Sequence, residues 1–505
     1  MRLYSDSIEF PAVSNYIQMS NNIYKTLMNS KISFILDGKI TQVDFNSENG
    51  LMPTTTVLNY LRKFPNHKGV KEGCAEGDCG ACTVVLGEVE NGCIRYKAVD
   101  SCLIFLPMLH GKQLITIENL KLADGKLHPV QQSMVEEYGS QCGFCTPGIV
   151  MATFELYKEN PNPSRAQIDD AITGNLCRCT GYRPIVDAAS HACTHNGVDH
   201  FNSDEARIVE MLKSIPSESI LIKTNNQQYF RPATMEEVLL LKQKYPDAIV
   251  LGGATDVALR VTKGHELLTE LIDISGIEDL KNVNETHSEL AIGAGVVMND
   301  VRKSVEKNFP ALHQMLNVFA SNQIRNVATL GGNLATASPI GDALPVLMAY
   351  NAKVELQSIS GKREVSLSDY LIGYRKTIRK PDELITSIIM PKLTNGAIVK
   401  SYKVSKRKDL DISTLSAGFS LDLENGVVKS IVLAYGGMAV TTKRASTTEN
   451  FLIGKLWERN IIEEAMQLID KDFTPISDVR GSAEYRKAAA RNLLLKFWYE
   501  TKETE

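Results

Sequence analysis

From Lys31 the chain alternates apolar and polar positions: Ile32, Phe34 and Leu36 on one side, Ser33 and Ile35 on the other. Asp37-Gly38 is a hairpin signal, and Ile40, Val43 and Phe45 continue the pattern beyond it. Residues 55–62 are predicted as a short helix with Val57, Leu58 and Leu61 inward. Residues 83–86 and 114–118 are predicted as strands, and 96–106 as the segment that runs back towards the first of them. The period then changes. Helices are expected over 128–138, 149–158, 164–172 and 184–192, with Pro129 suited to a first turn and Ser164 followed by Gln167 as a capping box. Residues 197–225 are polar, with Asp204-Glu205, and are expected to be a linker. Beyond it strands and helices alternate: a helix over 234–244, a strand over 248–251, then later strands over 416–423 and 431–435 and helices over 457–471 and 482–501. Residues 1–30 have weak periodicity and are expected to be an N-terminal extension.

Cysteine spacing adds chemistry to this pattern. Eight of the ten cysteines form two sets: Cys74, Cys79, Cys82 with Cys102, and Cys142, Cys145 with Cys177 and Cys179. The first has the C-x4-C-x2-C…C spacing of plant-type ferredoxins, whose thiolates hold a 2Fe–2S cluster. The strand–hairpin–helix order ahead of it is that of a β-grasp ferredoxin. Gly73, Gly77 and Gly80 allow sharp turns that aim backbone N–H groups at sulfur. The second set has no plant-type spacing and by itself equally suits a Cys₄ zinc site. Both of its pairs fall beside expected helix N-termini, where the dipole stabilises thiolate. Cys93 and Cys193 fit neither set and read as small hydrophobes.

Length and charge narrow the rest. The 505 residues suit about three to four domains. A composition 43% hydrophobic and 23% charged is ordinary for globular proteins, and the net charge of −4 gives no reason to expect nucleic acid or membrane as a partner. No run is long and apolar enough to span a membrane and no export signal opens the chain, so cytoplasmic metal ligation is expected over disulfides.

A glycine pair follows the strand at 248–251. Gly252-Gly253-Ala254-Thr255-Asp256 forms a plausible phosphate cradle, although it is not G-x-G-x-x-G and gives no Rossmann fingerprint. A second stretch, from Ile324 to Asp342, gathers small and hydroxyl residues around Gly331-Gly332-Asn333.

These motifs together resemble the xanthine dehydrogenase and molybdenum hydroxylase family. The resemblance rests on Gly73-Cys74-Ala75-Glu76-Gly77-Asp78-Cys79-Gly80-Ala81-Cys82, Gln141-Cys142-Gly143-Phe144-Cys145-Thr146-Pro147-Gly148, Asn175-Leu176-Cys177-Arg178-Cys179-Thr180-Gly181-Tyr182 and the two glycine stretches. It covers about residues 31–500. It implies an α+β multidomain chain: a β-grasp 2Fe–2S ferredoxin domain over 31–118, a four-helix 2Fe–2S domain over 119–196, a non-Rossmann α+β FAD-binding domain over 226–394, and a C-terminal α+β subdomain over 395–505. All eight cysteines match ligand positions, and neither set lacks a thiolate that His110, His128 or His191 would replace.

Carried over by position, Val250, Leu251, Gly252, Gly253, Ala254, Thr255, Asp256 and Val257 would line FAD. So would Phe319, Ala328, Thr329, Asn333, Ser338, Asp342, Ile385 and Lys403, with Phe319 and Ile385 equally readable as core. Tyr374 would stand beside the flavin and cover a nicotinamide. The acidic run expected near Lys403 and Asp411 is interrupted at Leu410, which leaves the choice between NAD and oxygen as acceptor open.

The order of modules matches the small subunit of two-chain bacterial-type xanthine dehydrogenases (EC 1.17.1.4-type). Two 2Fe–2S clusters, FAD and NAD are then the expected cofactors. The molybdopterin would sit in a large partner subunit, in a heterotetramer of two small and two large chains. A related aldehyde or N-heterocycle dehydrogenase, a zinc scaffold and a partner-free diaphorase are the alternatives. No acid–base or nucleophilic residue is expected here.

Overall fold

The computed structural model of the chain describes residues 30–502, apart from 47–49, 123, 195–196, 198 and 394–395. The expected extension, residues 1–30, therefore lies outside the described residues except for Ser30. The opening alternation becomes a five-stranded mixed sheet of β1 (Lys31–Leu36), β2 (Lys39–Asp44), β3 (Thr83–Glu90), β4 (Cys93–Asp100) and β5 (Gln113–Ile115). Its order is β2-β1-β5-β3-β4. Only β1 and β5 run parallel. Asp37 and Gly38, with φ of 53° and 69°, make the β1–β2 turn, the left-handed pair that matches strand twist. The helix Val57–Leu61 is capped by Thr56, whose side chain accepts from Asn59 N, and buries Val57, Leu58, Tyr60 and Leu61.

Both faces of this sheet are covered, which explains why its alternation is not strictly apolar and polar. Ile32, Phe34, Val84 and Leu114 share a core with Leu251, Ala254, Ala258 and Leu271 of the third unit. Ile35, Val85, Tyr96 and Ile115 face the other way, into the helical unit. The sheet is thus the middle layer, in contact with both neighbours.

The helical unit consists of Pro129–Glu136, Thr146–Glu159, Arg165–Ile172 and Arg183–Thr194. Ser164 and Gln167 make the expected capping box. The stretch expected as a linker is structured instead. It holds the helix His200–Lys213 and the strand β6 (Ile220–Lys223). Asp199 caps that helix in a box with Asn202, and Phe201, Ile208, Val209 and Leu212 bury one stripe. The charged residues that made the segment look like a linker lie mostly on its exposed face.

β7 (Gln228–Arg231), β8 (Ile249–Leu251) and β9 (Glu270–Asp273) join β6 in the order β6-β7-β9-β8, with β7, β9 and β8 parallel. A second sheet in this unit is antiparallel. It comprises β10 (Val283–Glu285), β11 (Glu289–Gly293), β12 (Lys353–Ser358), β13 (Gly361–Ser366) and β16 (Leu384–Pro391), ordered β10-β11-β16-β12-β13. A small hairpin, β14 (Leu371–Gly373) and β15 (Lys376–Thr377), projects before β16. The C-terminal sheet is β17 (Ile398–Val404), β18 (Leu415–Glu424), β19 (Val427–Gly436) and β20 (Lys443–Arg444). Its core is shared with the helices Arg459–Asp472 and Ala483–Thr501. The helix Ala343–Ala349 lies against it so closely that a Cβ on Gly418 would stand 2.3 Å from Pro345 O.

Candidate functional site

The cysteines gather as two separate quartets. Cys74, Cys79 and Cys82 lie on the loop before β3, and Cys102 follows β4. Positive φ at Ala75, Gly77 and Gly80 winds the loop so that Glu76 N and Asp78 N each point at Cys74 Sγ, 3.4 Å away. The Cys79 thiol donates to the same sulfur. That bond, aided by the two amides, draws the Cys74 pKa down to about 5, while the Cys79 pKa rises. The Cys82 and Cys102 sulfurs stand 3.4 Å apart and are buried. Asp100 approaches Cys82 Sγ at 3.6 Å, and burial pushes its carboxyl up to about 8.

In the second quartet Cys145 is the N-cap of Thr146–Glu159, and Cys177 and Cys179 stand just ahead of Arg183–Thr194. The free thiols of Cys142 and Cys179 share a hydrogen bond, as do those of Cys145 and Cys177. The Phe144 N–H, then Cys179, lowers the Cys142 pKa. Burial, then Cys177, raises that of Cys145 to about 12. Cys177 Sγ meets Thr180 Oγ1 at 3.2 Å. Cys142 and Cys179 are exposed, and beside them in the same loops Phe144, Leu176 and Tyr182 are exposed apolar side chains.

Among the described residues no three His, Cys, Asp or Glu side chains converge as on a single ion. The thiols come in twos: 74 with 79, 82 with 102, 142 with 179, 145 with 177. A cluster that divides four thiolates between two irons fits that pairing better than one tetrahedral zinc does.

The two glycine stretches meet. Gly252-Gly253 follows β8 at the carboxyl end of the parallel strands, where open α/β sheets bind ligands. A Cβ on Gly253 would lie 1.7 Å from Val327 O, and one on Gly252 would lie 2.7 Å from Thr329 Oγ1. Ala254 has φ of 59°, and Asp256 precedes the short helix Val257–Thr262. Thr329 caps Leu330–Thr336 by accepting from Gly332 N, and Asn333 Oδ1 is a buried acceptor without a partner among the described residues. The meeting line of the two stretches, the candidate flavin cleft, has an orphan acceptor and a short helix whose N-cap Asp256 makes no side-chain capping bond, a combination that suits a flavin nucleotide.

Other expected flavin residues also make contacts within the chain. Asp342 and Lys403 meet each other at 2.8 Å, and Ser413 Oγ holds the second Asp342 oxygen at 2.6 Å. Ile385 is buried in the core of the antiparallel sheet, and Phe319 packs against that core. Ser338 lies half-buried, just after Leu330–Thr336. Ala328 is in the same core, and Val250, Leu251 and Val257 also pack into apolar clusters. Tyr374 is 63% exposed at the tip of the β14–β15 hairpin, whose Arg375 reaches Asp256 at 3.4 Å.

A buried polar network holds these parts together, and sequence reading missed it. Asn326 Nδ2 donates to Ala98 O at 2.8 Å and to Glu155 Oε1 at 2.7 Å, and Asn322 Nδ2 donates to Glu155 Oε2. Burial raises the Glu155 pKa to about 7. Arg325, 1% exposed, is matched by Asp170, Asn299 Oδ1 and the Phe319 and Ala320 carbonyls. Breaking such a buried pair typically costs about 3–5 kcal/mol, so residues 319–326 are firmly fixed. The one available signal was the Asn, Gln and Arg residues of 322–326, with four residues between them and the glycine pair at 331–332.

Three family models match successive parts of the chain. The family described as "FAD binding domain in molybdopterin dehydrogenase" matches residues 224–393. "CO dehydrogenase flavoprotein C-terminal domain" matches 400–501, and "[2Fe-2S] binding domain" matches 116–190. The xanthine dehydrogenase/oxidase of Gallus gallus is 32% identical over 92% of this chain and 40% of its own length. Xanthine dehydrogenase 1 of Arabidopsis thaliana is 32% identical over 88% of this chain and 38% of its own. The chain therefore spans about 40% of the length of these curated relatives. Among solved structures, reconstituted CO dehydrogenase from Oligotropha carboxidovorans has a TM-score of 0.51 at 27% identity, covering 54% of this chain and 96% of that one. Quinoline 2-oxidoreductase from Pseudomonas putida 86, at 23% identity and a TM-score of 0.51, covers 55% of this chain and 97% of its own and shares the fold.

Proposed function

Because this chain belongs to the molybdenum hydroxylase family, of which it carries the iron–sulfur and FAD electron-transfer region, we propose that it serves a xanthine dehydrogenase. The observation that carries the choice is coverage. The xanthine dehydrogenases align along 92% of the chain, both modules included, whereas the CO dehydrogenase chain covers 54%. In this reading a molybdopterin-binding partner oxidises hypoxanthine or xanthine, and NAD receives the electrons. The assembly would be cytoplasmic, two small and two large chains; no described helix is long and apolar enough to cross a membrane.

Cys74, Cys79, Cys82 and Cys102 would hold one 2Fe–2S cluster, and Cys142, Cys145, Cys177 and Cys179 the other. Residues 250–257 with Thr329 and Asn333 would hold FAD. When bound, the clusters supply one-electron couples and the flavin exchanges one- for two-electron steps. The chain's own part is to bury, space and tune these groups. The exposed edge of the second quartet, ringed by Phe144, Leu176 and Tyr182, suits entry of electrons from the partner. The first quartet, with Cys82 and Cys102 buried and Cys74 and Cys79 half-buried, adjoins the sheet whose core includes Leu251 and Ala254, so it suits the step towards the flavin. Amides aimed at Cys74 Sγ favour the reduced, more negative state there.

Tyr374 tests the acceptor end. The Arg375–Asp256 contact ties its hairpin to the helix after the glycine pair, so its ring is available to a nicotinamide. A ring–ring contact is worth about 1 kcal/mol, so Tyr374→Ala is expected to raise KM for NADH roughly fivefold in a dye-reduction assay. The flavin spectrum and the iron signals should stay as they were. An unchanged KM would remove Tyr374 from the reading; absence of NADH-dependent dye reduction in flavin-loaded parent protein would remove NAD.

A further inference from the structure

We propose that Gln323 is a positioning residue for electron transfer between the two iron–sulfur sites, holding the Cys79 and Cys177 loops at fixed separation through Asn175. The inference rests on the assignment of the two quartets as separate 2Fe–2S sites. Gln323 lies on the short helix Asn322–Arg325 of the flavin-side unit and is completely buried. Its Nε2 donates to Asn175 Oδ1 at 2.7 Å. Asn175 Nδ2 donates in turn to Gly80 O at 2.9 Å and to Thr83 Oγ1 at 3.2 Å. One side-chain amide, Asn175, thus joins the loop of the first quartet, the loop of the second and the unit that carries the flavin cleft.

The bridge beside it is backbone. Leu176 N–H donates to Cys79 O at 3.0 Å, and Leu176 is bonded to Cys177. The surroundings leave no slack. A Cβ on Gly80 would lie 2.3 Å from Gly174 O, one on Gly148 2.1 Å from Gly80 O, and one on Gly174 2.2 Å from Gln323 Oε1. A seam that excludes a methyl group at three places holds a single geometry. Gln323 itself has no other hydrogen bond there: its Oε1 is buried without a partner among the described residues. What it supplies is one donated bond and its volume, which a substitution can separate.

In the step concerned, the second site is oxidised by one electron and the first is reduced by one; no proton moves and no bond breaks. Tunnelling weakens steeply with distance and with gaps between bonded atoms. A hydrogen-bonded backbone bridge of fixed length therefore sets its rate, and Gln323 fixes the length without touching a ligand.

The test uses the full chain. Gln323→Met keeps the volume and removes the donor. It is expected to retain about four irons, FAD and both paramagnetic resonance signals at unchanged potentials. The spin–spin splitting between the two signals in fully reduced protein should change. After mixing with less than one equivalent of reductant, equilibration between them should slow about tenfold, as for other residues supporting a metal site. Asn175→Asp, which keeps the acceptor for Gln323 but loses the donor to Gly80, is expected to do the same. Parent-like splitting and equilibration in an iron-replete Gln323→Met protein would overturn the proposal. If that variant loses iron, Asn175→Asp decides by the same two readouts, and iron loss in both assigns the seam a structural role only. A parent protein lacking one of the two signals fails the two-site assignment itself and takes the proposal with it.

Discussion

Gly253→Val is expected to give a folded chain without FAD that keeps both iron–sulfur signals. A Cβ at Gly253 would lie 1.7 Å from Val327 O and 3.0 Å from Ala328 N, which is backbone rather than a side chain that can turn aside. Nor can that backbone retreat. Arg325 and Asn326, immediately before it, are anchored to Asp170, Glu155 and Ala98. Overpacking a tight site ordinarily costs about 1–3 kcal/mol, and here it falls on the contact between the two halves of the flavin cleft. A penalty of about 3 kcal/mol weakens flavin binding roughly a hundredfold. The clusters lie on other elements, so iron should be unaffected. Flavin absorbance and iron analysis of the purified variant check this. One flavin per chain in Gly253→Val would refute the cleft, and loss of iron would show that the modules are not independent.

Cys79→Ser and Cys145→Ser are expected to remove one paramagnetic signal each, and not the same one. Serine keeps the size but replaces a soft thiolate with a hydroxyl that iron–sulfur centres bind poorly. At Cys79 the backbone bond from Leu176 N survives the exchange, so the seam between the loops persists. At Cys145 the substitution is gentler still. Cys145 precedes its helix in helical backbone conformation and makes no side-chain capping bond, so serine breaks none there. Helical content should therefore hold while the second signal disappears. Disappearance of both signals from either variant, with the fold intact by circular dichroism, would contradict two separate sites.

What the sequence made legible was local. The β1–β2 turn at Asp37-Gly38, the Ser164–Gln167 box and the tight runs Cys74-Cys79-Cys82, Cys142-Cys145 and Cys177-Cys179 each depend on residues a few positions apart. Contacts across the chain were not legible. Gln323 reaches Asn175 across 148 positions and Asn326 reaches Glu155 across 171, so no periodicity records them. The helix His200–Lys213 was hidden by its own charged face. Nor does any local spacing record that Asp342 and Lys403, both expected at the flavin, also pair with each other. Ile385 packs in the sheet core, a placement that its strand position alone left open beside the flavin reading.

Iron, acid-labile sulfide, zinc and flavin per chain, measured together with the visible spectrum of the purified full chain, test the central claim most directly. About four irons, about four sulfides and one FAD per chain in a brown-red protein are expected from two 2Fe–2S centres and a flavin cleft. A colourless protein with about two zinc ions and no sulfide would contradict it, because the same thiols would then be serving structural tetrahedral sites.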